Sequence, residues 1–175
     1  KTKAAVENLL TDLYHSDGKW SIASLRYFNP VGAHSSGLIG EDPMGIPNNL
    51  FPLIINVAAG RIEKLKVFGS DWPTTDGTGV RDYIHVNDLA EGHYDAIKYL
   101  IGNKSGNLLK LNLGTGKGYT VLEVISTFNK VIGKKIPYEI VERRSGDNGI
   151  SIADPLLAKN ILGWEAKNSL FDMCR

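Results

Sequence analysis

The stretch Ser24-Leu-Arg-Tyr-Phe-Asn-Pro-Val-Gly-Ala-His34 decides how this chain folds. Its first half is an apolar run typical of a buried strand, and the Asn29-Pro30 pair then forces the backbone to turn. Tyr27 and Phe28 therefore stand at the carboxyl end of a strand, where ligands bind in open α/β sheets. The stretch predicts both a strand and one wall of a binding site.

Two later segments add polar groups to this wall. In Gly45-Ile-Pro-Asn-Asn-Leu50, the asparagines precede a predicted helix. The free N–H groups of a helix start form an anion site, although simple capping by the asparagines is an alternative use. In Gly79-Val-Arg-Asp-Tyr-Ile-His85, the arginine brings a guanidinium group. The three segments together predict a pocket for a charged, hydroxyl-rich small molecule.

Arg81 and Arg144 are the candidate anion ligands. A guanidinium group offers two parallel donors that match a phosphate edge. The alternative is a surface ion pair with Asp82 or Glu142, which is the commoner use of arginine. The sequence leaves both uses open.

Composition narrows the class of protein. The chain has 175 residues, of which 42% are hydrophobic and 22% charged, as in ordinary globular proteins. Twenty cationic and nineteen anionic side chains leave a net charge of +1, which gives no electrostatic case for nucleic acid or a membrane surface as partner. The single cysteine, Cys174, cannot form an internal disulfide, so we expect a cytoplasmic protein.

Helical and strand patterns alternate along the chain, which predicts an α/β fold with parallel strand pairing. The predicted strands cover residues 21–28, 65–68, 82–86, 108–113 and 136–141. The predicted helices cover residues 1–13, 50–59, 87–101, 121–133 and 155–163, with Asn87 or Asp88 as the cap of the third and a Thr120/Glu123 capping box opening the fourth. A glycine- and proline-rich loop is predicted over residues 29–48.

Several motifs favour structural roles. Gly114-Thr-Gly-Lys-Gly118 is a weak nucleotide fingerprint, because it lacks the Gly-x-Gly-x-x-Gly spacing, and it predicts a tight strand-to-helix turn. His85 and His93 have no partners at metal-ligand spacing, so we expect hydrogen-bonded structural histidines and no metal site. We also expect the tryptophans, Trp72 among them, to serve packing.

Residues 25–34, 40–50, 76–86, 112–118 and 143–147 resemble, in order, the extended short-chain dehydrogenase/reductase family, and within it the nucleotide-sugar 4-epimerases. The resemblance implies the C-terminal part of a Rossmann-type doubly wound fold plus the smaller α/β substrate-binding lobe. It implies that residues 1–30 are the tail end of the NAD-binding Rossmann domain. Residues 31–175 are then mainly the nucleotide-sugar lobe, with some segments returning to the Rossmann sheet.

The implied activity is interconversion of UDP-galactose and UDP-glucose by transient oxidation at sugar C4, with NAD as cofactor and a UDP-hexose as substrate. Lys3 matches the lysine of the family's Tyr-x-x-x-Lys pair, so the tyrosine and the glycine-rich NAD loop would precede residue 1. We therefore expect a fragment that is inactive alone and whose intact form can be a homodimer. Another reductase of the same superfamily, such as a 4,6-dehydratase or a uronate epimerase, and a non-catalytic nucleotide-sugar binding module remain alternatives.

The resemblance also implies a role for each site residue. The cofactor side comprises Lys3, which is also catalytic, Tyr27 and Phe28. The substrate side comprises Asn29 at the sugar, Asn49 and Leu50 near the diphosphate, Lys66, Val67 and Phe68 at the uracil, Arg81 and Arg144 on the diphosphate, Asp147 on the ribose, and Ser151 near the sugar's C2 substituent. The small side chain of Ser151 would leave room for an N-acetyl group.

Overall fold

The structure is a computed structural model that describes residues 1–45, 47–103 and 105–175. Its elements in chain order are α1 (Thr2–Ser16), β1 (Ser21–Tyr27), β2 (Asn29–Val31), α2 (Leu50–Ala58), β3 (Leu65–Phe68), β4 (Val80–Arg81), β5 (Tyr83–His85), α3 (Val86–Gly102), β6 (Asn107–Leu113), β7 (Tyr119–Thr120), α4 (Val121–Ile132), β8 (Tyr138–Val141), β9 (Ile150–Ser151), α5 (Leu156–Leu162) and α6 (Leu170–Cys174). Strands and helices alternate over most of the chain, so the predicted α/β class is confirmed.

Parallel pairing joins strands that are distant in sequence. β1 pairs with β6, β2 with β5, β3 with β8 and β4 with β9, all in parallel, and only the short β4–β7 pair among the described strands is antiparallel. Parallel partners need long crossovers, which the intervening helices supply. This pairing brings towards one side of the paired strands the carboxyl ends of β1 and β3 and the junctions at residues 29 and 81.

The first hydrophobic core lies around the β1–β6 pair, α3 and α5. Leu111 and Leu113 on β6 are completely buried, and Trp164 after α5 is 2% exposed. The indole N–H of Trp164 donates to the carbonyl oxygen of Asp88 at 3.0 Å, so its one polar atom is satisfied within the core. Trp164 thus serves packing, as predicted.

The second hydrophobic core is built from α2, β3, α4, α6 and the buried side of β5. The rings of Phe51 on α2 and Phe128 on α4 meet edge-to-face with centroids 5.0 Å apart. Ile54, Leu65 and Val124 are between 0% and 1% exposed in this core. This core supports the strand and helix ends that form the cavities described below.

The capping box that opens α4 is confirmed. The hydroxyl of Thr120 accepts the N–H of Glu123 at 3.0 Å, and the Glu123 carboxylate accepts the N–H of Thr120 at 2.7 Å. At the other end Gly133 takes a left-handed conformation, with φ of 68°, that ends the helix. Local sequence signals determine both ends of this helix.

Three local predictions are wrong or incomplete. The predicted loop over residues 29–48 begins with strand β2. Pro30 has no N–H to donate, but it is accepted in the short β2–β5 pair because β2 is an edge strand. Ile46 of the predicted loop lies outside the described residues. The cap of α3 is His85, whose ring nitrogen accepts the N–H of Asn87 at 3.1 Å, whereas Asp88 is buried and holds Asn168. The sequence of the first helix also has an apolar stripe, formed by Ala5, Val6, Leu9, Leu10 and Leu13, which the described residues do not bury: Leu9 is 67% exposed.

The proposed boundary between residues 30 and 31 stays a prediction. β1 packs with α3 and β6, both of which follow that boundary in sequence. Among the described residues, no helix has both the length and the apolar character needed to cross a bilayer.

Candidate functional site

A cavity of about 200 Å³, the first cavity, opens where β2, the start of α2, β3, β4 and the segment 144–148 converge. It brings together most of the predicted substrate-side residues. Those that line it are Asn29, Asn49, Leu50, Lys66, Val67, Phe68, Arg81, Arg144 and Asp147. The topology therefore joins into one site segments that are as far apart in the sequence as Asn29 and Asp147.

Arg81 and Arg144 face the same carboxylate across this cavity. Nη2 of Arg81 lies 3.9 Å from Oδ1 of Asp147, and Nε of Arg144 lies 3.1 Å from Oδ2. The alternative partners, Asp82 and Glu142, are not used. Arg81 also donates from Nη1 to the carbonyl oxygen of Val80 at 2.9 Å, which fixes the direction of its guanidinium group.

These ion pairs are weak enough to be exchanged. The side chains of Arg81, Asp147 and Arg144 are 23%, 29% and 52% exposed. Water-accessible ion pairs of this kind contribute about 0–1 kcal/mol. A pyrophosphate, with more charge and more acceptor oxygens, can therefore compete for the same guanidinium donors.

The walls of the first cavity are partly aromatic. The guanidinium carbon of Arg144 lies 4.6 Å from the ring centroid of Phe68, whose strand β3 points Leu65 and Val67 into the core instead. Tyr83 lines the cavity from β5 and is 3% exposed. Burial raises the pKa of Tyr83 to about 12, so its phenol stays neutral at physiological pH.

Trp72 is a cavity residue that the sequence assigned to packing. It lines the first cavity, and the guanidinium carbon of Arg143 lies 3.7 Å from its ring centroid. Nε of Arg143 also donates to Asp71 at 2.6 Å. An aromatic residue in a glycine- and proline-rich loop, close after Phe68, was the available signal, but the sequence alone does not separate a packing tryptophan from one that lines a cavity.

Asn49 is the residue before α2, and its side chain makes no capping bond to the helix. Its amide instead donates to Glu41 at 3.3 Å. The side-chain capping alternative for Asn49 is thus not realised, and the helix start remains directed at the first cavity. This geometry is compatible with the anion role that the sequence suggested.

A second cavity, of about 660 Å³, lies at the carboxyl end of β1 and against α1. It contains Lys3, Tyr27, Phe28 and Ser151, and it shares Asn29 with the first cavity. All the predicted site residues therefore fall on two cavities that meet at Asn29. The cofactor-side set and the substrate-side set are separated between them, apart from Ser151.

The glycine-rich loop after β6 binds an anion from the chain itself. The N–H groups of Thr115 and Gly116 donate to the carboxylate of Asp82, both at 2.9 Å. The loop is therefore a structural turn, as predicted. His85 is likewise structural, and in the described parts of the chain no three His, Cys, Asp or Glu residues are arranged to hold a metal ion.

Comparison with known proteins identifies the family. The model of the NAD dependent epimerase/dehydratase family matches residues 1–114. The chain is 56% identical over 174 residues to UDP-glucose 4-epimerase of Bacillus subtilis, covering 99% of this chain and 51% of that protein. The predicted resemblance to nucleotide-sugar 4-epimerases is confirmed.

Solved structures agree with this result. UDP-glucose-4-epimerase from Stenotrophomonas maltophila, solved with NAD and formylated UDP-arabinopyranose, superposes with a TM-score of 0.95 at 53% identity, covering 99% of this chain and 51% of that one. UDP-glucose 4-epimerase from Bifidobacterium longum, solved with NAD+ and UDP, has a TM-score of 0.91 at 50% identity, covering 96% of this chain and 49% of that one. The Rossmann-type fold is thereby confirmed, and the chain spans about half the length of the relatives it matches.

Proposed function

The chain belongs to the NAD dependent epimerase/dehydratase family, and we propose that the intact protein interconverts UDP-galactose and UDP-glucose through transient oxidation at sugar C4. In this proposal the chain supplies the nucleotide-sugar site and part of the NAD site. In this proposal the catalytic tyrosine and the glycine-rich NAD loop of the intact protein precede residue 1, as the family resemblance implies. We therefore propose that residues 1–175 alone do not turn over substrate.

The observation that carries the proposal is the convergence of Arg81 and Arg144 on one carboxylate in one cavity. Two guanidinium groups from distant segments can neutralise a pyrophosphate and hold it at a fixed point. Asp147, once its arginines contact phosphate, is free to accept hydrogen bonds from ribose hydroxyls. Phe68 and the stem of Lys66 offer apolar surface for the flat uracil ring, with the buried Val67 between them on β3.

The sugar end has a different character. In the second cavity Asn29, Phe28 and Ser151 are neutral, and the charged Glu7 and Arg26 bind each other in a bidentate ion pair. A hexose there meets few strong partners while its diphosphate is held firmly. That asymmetry lets the sugar turn over and present its opposite face without leaving the protein, as an epimerisation at C4 requires.

The donor set of the second cavity suits the nicotinamide end of NAD. Lys3 offers an ammonium group for ribose hydroxyls, and Tyr27 and Phe28 offer aromatic surfaces at the end of β1. NAD would supply the acceptor and donor of the C4 hydride. The positive charge of Lys3 would lower the pKa of a nearby phenol, while Asn29 would hydrogen-bond the sugar.

The test is product analysis with the intact protein. UDP-galactose is supplied, and the UDP-glucose formed is oxidised by UDP-glucose dehydrogenase in a coupled assay, with chromatography of all products. UDP-glucose as the sole product supports the proposal. A 4-keto-6-deoxy sugar indicates a dehydratase, activity confined to UDP-uronates indicates a uronate epimerase, and binding without turnover indicates a binding module; each of these results contradicts the proposal.

Ser151 is the basis for proposing a second substrate. It lines the second cavity beside Asn29, and its small side chain leaves space next to the sugar. We propose that the intact enzyme also epimerises UDP-N-acetylgalactosamine. Turnover of UDP-galactose with none of UDP-N-acetylgalactosamine would contradict this.

We also propose that the intact protein is cytoplasmic and homodimeric. The one cysteine of the chain is reduced and buried, which suits a reducing compartment. The dimer is implied by the family resemblance. Cell fractionation and the mass measured by light scattering test the two statements separately, and a monomeric mass would contradict the second.

A further inference from the structure

Asp82 is a completely buried carboxylate to which the proposed reaction assigns no role. Its Oδ1 accepts the N–H and the hydroxyl of Thr115, at 2.9 and 2.7 Å. Its Oδ2 accepts the N–H of Gly116 at 2.9 Å and that of Ala153 at 3.2 Å. Four donors from two distant segments thus satisfy one carboxylate, which is how a buried charge is tolerated.

The backbone of Asp82 binds both sides of the second cavity. Its carbonyl oxygen accepts the N–H of Asn29 at 3.1 Å, and its own N–H donates to the carbonyl oxygen of Ser151 at 3.0 Å. Asn29 and Ser151 are the residues that face the sugar in the proposed function. One residue therefore sets the separation of the two walls between which the hexose would turn.

The close packing around this carboxylate leaves little tolerance. A Cβ atom at Gly114 would lie 2.4 Å from the Cβ of Ala153 and 2.8 Å from Oδ2 of Asp82. The loop can reach the carboxylate only with glycine at this position. The segment that carries Ser151 therefore packs tightly against the glycine-rich loop, where Ala153 contacts Gly114.

We propose that Asp82 is a positioning residue, whose carboxylate anchors Ala153, two residues after Ser151, and so keeps Ser151 opposite Asn29 at the sugar end of the site. This inference rests on the proposed function. Arg81 is the register partner of Ser151 in the β4–β9 pair, but it is also held from its other edge by the pairing of β4 with β7 and by Asp147. Loss of the carboxylate should therefore disturb the sugar end far more than the diphosphate end.

Asp82→Asn in the intact protein is the test. The amide keeps the size of the side chain but turns one acceptor into a donor that opposes the N–H groups of Gly116 and Ala153. Asp88→Asn is the matched control, because Asp88 is 1% exposed, accepts two hydrogen bonds from Asn168, and lines neither cavity. Thr115→Val, which removes only the hydroxyl donor, is a milder second variant that keeps the test open if the first does not fold.

The measurements are kcat/KM for UDP-galactose and UDP-N-acetylgalactosamine, and the dissociation constants of UDP and UDP-galactose, below the unfolding temperature of every variant. For Asp82→Asn we expect kcat/KM for UDP-galactose to fall by about tenfold or more and the ratio between the two sugars to shift by about threefold or more. UDP affinity should change by no more than about twofold. Thr115→Val should shift the ratio in the same direction by less.

A purely structural role predicts a different pattern. Asp82→Asn and Asp88→Asn would then lower both sugars' kcat/KM in proportion, leaving the selectivity of wild type, and that result overturns the inference. If the wild-type protein turns over neither sugar, the proposed function is wrong. The positioning role of Asp82 is then tested by the ratio of UDP-galactose affinity to UDP affinity, compared between wild type and the variants. An unchanged ratio in Asp82→Asn and Thr115→Val would refute the positioning role by itself.

Discussion

Replacing Arg144 by alanine should weaken the binding of UDP to the intact protein without unfolding it. The guanidinium group of Arg144 faces the first cavity, pairs with Asp147 at 3.1 Å and lies over Phe68. In the proposed complex it donates to the pyrophosphate. The substitution removes that charge and its donors while leaving the backbone of a surface segment unchanged.

The magnitude follows from the exposure of the group. A hydrogen bond to a charged partner contributes about 1.5–3 kcal/mol. Because the side chain of Arg144 is 52% exposed, solvent screening places its contribution in the lower part of that range. A loss of about 1.5–2 kcal/mol corresponds to a dissociation constant about ten- to thirtyfold higher.

Isothermal titration calorimetry with UDP measures this change, and Arg143→Ala is the matched control. Arg143 is the sequence neighbour of Arg144, but it pairs with Asp71, lies over the ring of Trp72 and does not line the first cavity. We expect Arg143→Ala to raise the dissociation constant by no more than about threefold. Equal effects of the two substitutions, or an unchanged affinity in Arg144→Ala, would refute the assignment of Arg144 to the pyrophosphate.

Three further predictions concern stability and reactivity. Burial alone would raise the pKa of Asp76, but hydrogen bonds from two threonines outweigh it and lower the pKa. The stabilisation by ionised Asp76 is therefore fully present above the pKa that this carboxyl has in the unfolded chain, and it is lost as the pH falls through its lower pKa in the folded protein. Asp76→Asn should destabilise the protein by about 1–2 kcal/mol at pH 7 and by less below about pH 4. Urea titrations at both pH values test this, and an equal gap at both would contradict it. Gly114→Ala should cost about 1–3 kcal/mol of unfolding free energy through steric overlap, whereas Gly18→Ala, where a Cβ meets nothing within 4 Å, should be nearly neutral; equal urea midpoints would contradict this. Burial raises the pKa of Cys174 to about 12, which lowers its thiolate fraction at pH 8 about a thousandfold, so a thiol reagent should label it about a thousandfold more slowly in the native protein than in urea; equal rates would show that the thiol is accessible.

Local signals in the sequence predict most of the elements of this fold. The Thr120 capping box and Gly133 define α4 within one residue, since both act on backbone groups a few positions away. The strand that begins the Asn29 segment was missed because its hydrogen-bond partner, β5, lies more than fifty residues later. The predicted N-terminal cap of α3 was wrong for a similar reason. The Asp88 side chain accepts a hydrogen bond from Asn168, and the two residues come together only in the folded chain.

The site was predictable where the family resemblance supplied it and not otherwise. Arginine and asparagine motifs indicated an anion pocket, yet the residues alone could not separate phosphate binding from surface pairing. The shared partner of the two arginines, Asp147, is visible only in three dimensions. Trp72 and Asp82 were missed because packing, not sequence spacing, gives each its contacts.

A crystal structure of the intact protein with NAD and UDP tests the central claim most directly. We expect that guanidinium nitrogens of both Arg81 and Arg144 lie within hydrogen-bond distance of pyrophosphate oxygens and that the uracil ring lies against Phe68. A pyrophosphate bound elsewhere, with both arginines still paired to Asp147, would contradict it.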